Sequence, residues 1–234
     1  MAYQDQINLD VNRAIILRSA TTRWYKMDSN PRGKAVIFVQ DIKYTTEPIV
    51  VDLGNEGLRF KHIFNQLGYD TQVHMRKSST EIMSTLNEYA TSEHPGDSFI
   101  VMFTGHGFNG NICGNDNYEH DVLPIQNVLD LFSEKNCLAL QSKPKVFLFN
   151  CCRESYAAYC NGIEMYTYFG RALSHTPAQF ASYKSLDEII KKTTARLESD
   201  LAVVREMEPT DDNQHNPEFQ TFGVQKDLYF NPGL

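Results

Sequence analysis

Short unbroken apolar runs alternate along the chain with longer stretches whose apolar residues recur every three or four positions. AVIFV (35–39) has the pattern of a strand buried on both faces, and LRFKHIFNQLG (58–68) places Leu58, Phe60, Ile63, Phe64 and Leu67 on the inner side of a helix that Gly68 should close. YDTQVHM (69–75) predicts another strand. SSTEIMSTLNEYAT (78–91) opens with Ser and Thr as caps and carries Ile82, Leu86 and Tyr89 at helical spacing. FIVMF (99–103) and VFLF (146–149) are further buried strands, with the helical IQNVLDLFS (125–133) between them. Strand and helix in alternation predict an α/β fold: a three-layer sandwich with a central, mostly parallel sheet and helices on both faces.

Beyond this regular part the pattern loosens. Residues 1–22 read as a short extension, with the apolar patch AIIL (14–17) as its docking point. LDEIIKKTTARLESDLAVV (186–204) predicts a helix with a mixed charged face, EPTDDNQHNPE (208–218) a polar loop, and QTFGVQKDLYF (220–230) a final alternating strand.

Composition narrows the class. The 234 residues are 41% hydrophobic and 22% charged, suited to a substantial core, and residues 23–234 are expected to form a single domain. A formal net charge of -7 gives no electrostatic footprint for nucleic acid. Five cysteines in a chain of this size fit reduced thiols better than a disulfide framework. The opening MAYQDQINLDVNR does not resemble a signal peptide, and the longest apolar runs are strand-sized, so the expected location is cytoplasmic, away from membranes.

In open α/β sheets the ligand site lies beyond the carboxyl ends of the strands. Two strands end in reactive residues here, for FIVMF runs into TGHG (104–107) and VFLFN into CCRE (151–154). A thiol needs a base to act as a nucleophile near neutral pH, and His106 could meet a strand-end cysteine above neighbouring strands. Gly107, without a side chain, could bring its N–H to a reacting carbonyl oxygen. Taken singly, a buried cysteine is usually a small hydrophobe and a histidine usually structural. Cys151, Cys152, Cys160 and His106 are a conceivable ligand set, but adjacent cysteines without a Cys-x-x-Cys pair argue against zinc, and no metal is expected. Cys113, Cys137 and Cys160 read as packing or bystander residues.

KPKVFLFNCCRE (143–154) resembles the caspase segment in which Lys-Pro-Lys and an apolar strand lead into Gln-Ala-Cys-Arg-Gly, and FTGHG resembles the caspase Ser-His-Gly turn. The signature histidine lies about 50 residues before the cysteine, as His106 does before Cys152. WYKMDSNPRGKAVIF (24–38), FNQLGYD (64–70), TYFGRAL (167–173), SLDEIIKK (185–192) and NPEFQTFGVQKDLYF (216–230) extend the likeness over most of the chain. The resemblance implies a large-subunit-like part over 23–160 and a shortened small-subunit-like part over 161–234. It makes Cys152 the nucleophile, His106 the acid and base, and the N–H groups of Gly107 and Cys152 the oxyanion hole. No cofactor is implied. The last strand, which in caspases pairs across a dimer, implies Val224, Lys226, Leu228 and Phe230 as dimer-strand residues.

Departures from the pattern carry as much information. Caspases hold a substrate aspartate with two arginines and the signature glutamine, since a buried carboxylate needs charge-assisted partners. Asn150 stands at the glutamine, and Val50 falls where the first arginine is expected, in EPIVVDLGNEG (47–57), which has no basic residue. ESYAAYCNGIEMY (154–166), where the second belongs, has none either. Between Asp130 and Asp187 there is no aspartate, so the cleavage that usually separates the two subunits has no site there. Two functions follow as expectations. One is a decoy that pairs with an active caspase, or with itself, through the C-terminal strand and regulates apoptosis. The other is a cysteine endopeptidase of non-aspartate specificity.

Overall fold

The computed structural model describes residues 9–43, 50–115, 120–151, 160–161, 166–207, 220 and 226–233. In chain order these form β1 (Gly33–Val39), β2 (Ile42–Lys43), β3 (Val50–Val51), α1 (Gly54–Gln66), β4 (Asp70–Met75), α2 (Ser79–Thr91) and β5 (Ser98–Thr104). There follow β6 (Gly107–Phe108), β7 (Asn111–Cys113), β8 (Val122–Pro124), α3 (Ile125–Leu131) and β9 (Lys145–Asn150). The chain then forms β10 (Cys160–Asn161), β11 (Tyr166–Thr167), α4 (Tyr168–Phe180) and α5 (Leu186–Met207).

β4, β1, β5 and β9 lie side by side in that order, all parallel. Alternation along each strand builds two cores. Ala35, Ile37, Val39, Ile100 and Met102 face Phe60, Ile63, Phe64 and Leu67 of α1, together with Leu173 of α4 and Ile189 of α5. Val36, Phe38, Phe99, Val101 and Phe103 face Ile82 and Leu86 of α2 and Val128 of α3. Residues 35–39 of β1 and 99–103 of β5 are thus apolar without a break because each face meets a helical layer, and the expected sandwich is present.

The helix ends follow their sequence signals. Ser78 accepts from the N–H of Glu81 while the Glu81 side chain accepts from the N–H of Ser78, a reciprocal cap on α2. Gly68, with φ +91, lets the chain leave α1 as Tyr69 donates back to the Phe64 carbonyl. Inside α1 one expectation fails, because Leu58 is 52% exposed. Phe60, Ile63, Phe64 and Leu67 follow the i, i+3, i+4, i+7 stripe, and a residue two positions before its start falls on the opposite side.

The extension docks differently from the expectation. Of AIIL only Ala14 is buried, while Ile15 is 95% exposed. Attachment runs instead through Leu9 and Val11, which pack on the α1 side of the core, and through backbone bonds from Asn12 to the Ala178 carbonyl and from Ala14 to that of Pro232.

The expected strand over 220–230 is also corrected in its described part. Residues 226–230 form no strand, only a parallel bridge between Trp24 and Asp227. Asp227 pairs with Arg23 and Tyr25, and the Leu228 carbonyl accepts from Leu186, so the backbone serves two separate elements of its own chain. Leu228 and Phe230 are buried in the α1-side core, and Lys226 lies over the Tyr25 ring. The alternation in this stretch places Leu228 and Phe230 in the chain's own core. Val224 lies outside the described residues.

Candidate active site at the carboxyl ends of the sheet

β5 and β9 end level, with Phe103 opposite Phe149 and Thr104 opposite Asn150. The pairing continues one step, since the Gly105 N–H donates to the Asn150 carbonyl at 3.2 Å. Gly105 then turns the chain out of the sheet with φ +148, and a Cβ there would sit 2.8 Å from Cβ of Gln40, so two independent constraints require glycine. Beyond the turn His106 is buried, and its carbonyl accepts the Cys113 N–H at 3.0 Å. Gly107 opens β6, where it pairs with Ile112 of β7. His106 is therefore held between the end of the main sheet and the small antiparallel sheet of β6, β7 and β8. On the neighbouring strand Cys151 is half-buried, and Cys152, one residue on, lies outside the described residues.

Asn150 and Glu56 form the polar centre of this region. Glu56 sits in the first turn of α1 and is completely buried. One of its carboxylate oxygens accepts from the Thr104 hydroxyl at 2.5 Å and from Nδ2 of Asn150 at 2.7 Å. The other accepts from the Thr167 N–H at 2.7 Å and its hydroxyl at 3.1 Å. Nδ2 of Asn150 also donates to Oγ1 of Thr167 at 2.7 Å and lies 3.0 Å from that of Thr104. Both amide hydrogens are thus committed within the chain. Burial pushes the Glu56 carboxyl up, against the donations of Thr104 and Thr167 and the charge of Arg59, which pull it down.

Thr167 ties this cluster to the second part of the chain. It caps α4, its Oγ1 accepting the Gly170 N–H at 2.8 Å. Gly170 has no room for a side chain, as a Cβ would lie 2.5 Å from the Glu56 carboxylate and 2.6 Å from Oγ1 of Thr167. Nothing in the pattern of DLGNEG (52–57) announces Glu56, because an acidic residue in a first helical turn ordinarily faces water.

The remaining candidates are placed unevenly. Val50 lies in β3, paired with Lys43, and its side chain is outside the described residues. Cys113 and Cys137 are buried, and burial, with the Asp121 charge added, pushes the Cys113 thiol up to about 11. No helix among the described residues is long and apolar enough to cross a membrane.

Comparison with known proteins agrees with this fold. A family model described as the caspase domain matches residues 44–228. The chain is similar to caspase-2 of Gallus gallus, 35% identical over 138 residues that make up 55% of this chain and 31% of the relative. It is similar to caspase-12 of Macaca mulatta, 29% identical over 157 residues covering 65% of this chain and 36% of the relative. Caspase-6 of Mus musculus is 31% identical over 135 residues, covering 56% and 47% respectively. The matches thus span between 31% and 47% of the length of these relatives.

Proposed function

The chain belongs to the caspase family, and from that membership we propose that it is a caspase-like decoy: it keeps the fold, does not cleave after aspartate, and regulates an active caspase in apoptosis by pairing with it in the cytoplasm. The observation that carries this reading is the state of Asn150. At the place of the signature glutamine, its amide is bound to Glu56 and Thr167 and has no hydrogen left for a substrate carboxylate. An acidic side chain would also approach the buried Glu56 carboxyl, with no arginine in the stretches where the family supplies two. Leaving such a charge unpaired in a dry pocket costs several kcal/mol, on the order of the whole affinity of a peptide.

Pairing is supported by the likeness of NPEFQTFGVQKDLYF (216–230) to the strand that caspases pair across a dimer, and the partner would be another caspase or a second copy. Co-expression with candidate active caspases tests the reading: a stable complex and a changed partner activity are expected, and neither association nor change would remove it.

A second reading keeps the chain as a cysteine endopeptidase of neutral specificity, with Cys152 as nucleophile and His106 as acid and base. It is favoured by the retained turn at Gly105, His106 and Gly107, which holds the histidine buried at the strand end.

A further inference from the structure

Glu56 is a fully buried carboxylate on the helix of one part of the chain, bonded to the last residues of two strands and to the cap of a helix in the other part. Its position relative to the candidate pair is fixed by register. Thr104 stands two residues before His106, Asn150 two residues before Cys152, and the two face each other on one rung. We propose that Glu56 is a positioning residue, which locks the Thr104–Asn150 rung and the start of α4 together and so sets where the chain leaves β5 toward His106 and leaves β9 at Cys151.

Four features support this. The carboxylate receives one donor from each strand end and two from Thr167, so removing it loosens three elements at once rather than one. The strands themselves cannot supply the lock, because the ladder fixes register along β5 and β9 but not the angle at which the chain leaves them. Gly170 lets α4 approach the carboxylate more closely than a residue with a side chain would permit. Geometry in a reacting pair is steep, a displacement of about 1 Å being able to change rates by about a hundredfold.

The inference rests on the second reading only in taking His106 and Cys152 as a pair, and the association experiment that tests the decoy reading succeeds or fails independently of it. The test uses the full chain and needs no protease activity. Iodoacetamide alkylation of Cys152, located by mass mapping, is followed between about pH 6 and pH 9, where thiols of this kind titrate, and His106 is titrated by NMR. Glu56→Gln is expected to change the alkylation rate at least about tenfold and to move the His106 titration. Thr193→Val removes another buried hydroxyl, bonded to Thr176 and to the Ile189 carbonyl, and is expected to lower stability while leaving both readouts unchanged. A folded Glu56→Gln with the wild-type rate and titration overturns the proposal. So does a Thr193→Val that moves them as far, or a Cys152 that is unreactive in the wild type. Should Glu56→Gln fail to fold, Thr167→Ala, which keeps the backbone donor to Glu56, takes its place with the same opposed outcomes.

Discussion

Thr104 and Asn150 face each other on the last rung between β5 and β9, and both turn their side chains onto the same buried carboxylate. That pairing lies two residues from each member of the candidate Cys-His pair, so its loss should be felt in stability as well as in the site. Glu56→Leu would leave the Thr167 N–H and the Asn150 amide without their shared acceptor. A loss of about 2–4 kcal/mol is expected by urea unfolding, and a change below about 0.5 kcal/mol would contradict the network.

Gly170→Ala should be costly for a steric reason, since its methyl group would meet the Glu56 carboxylate and Oγ1 of Thr167. The expected loss is about 1–3 kcal/mol. Gly110→Ala is the contrast: nothing lies within 4 Å of a Cβ there, so only the strain of φ +74 applies, about 1 kcal/mol. Melting curves of the two variants should differ in that order.

Leu228→Ala and Phe230→Ala should each destabilise the isolated chain by about 2–5 kcal/mol, because both side chains are buried in its own core. Lys226→Glu should leave the fold within about 0.5 kcal/mol of wild type. If the two apolar variants changed only association and not the unfolding midpoint, the placement of this stretch would be wrong.

Stability should fall as pH drops below about 6.5 through His94 and His74. Burial holds both imidazoles below their usual value, aided at His94 by Lys34 and Lys143 and at His74 by Lys77. Tyr89, whose carbonyl meets the His94 ring at 2.8 Å, and Glu88 near His74 pull the other way. The unfolded chain then takes up protons before the folded one does, so this contribution is full above about pH 6.5 and is lost as pH falls toward the folded values. Urea midpoints across this range check the sign, and a double variant His74→Gln with His94→Gln should flatten the slope.

How far the sequence could be read depended on whether one local rule decided the outcome. AVIFV and FIVMF became central strands because an unbroken apolar run has two faces to bury, and Ser78 with Glu81 formed the cap its spacing predicts. Leu58 stands two residues before the stripe that meets the core, and its apolar character alone does not bury it. At 220–230 the alternation was real, but Leu228 and Phe230 follow it into their own core, and periodicity does not say which surface an alternating segment meets. His106 and Gly107 were readable from their strand-end turn, whereas Glu56 was not, because its partners are distant in sequence and only the fold brings them to it.

The central claim is that this site no longer accepts aspartate. Its most direct measurement is cleavage of a mixed peptide library by the purified chain, compared with Cys152→Ala. The account predicts no Cys152-dependent cut after aspartate, and any cleavage found should follow neutral residues. Efficient cutting after aspartate that disappears in Cys152→Ala would contradict it.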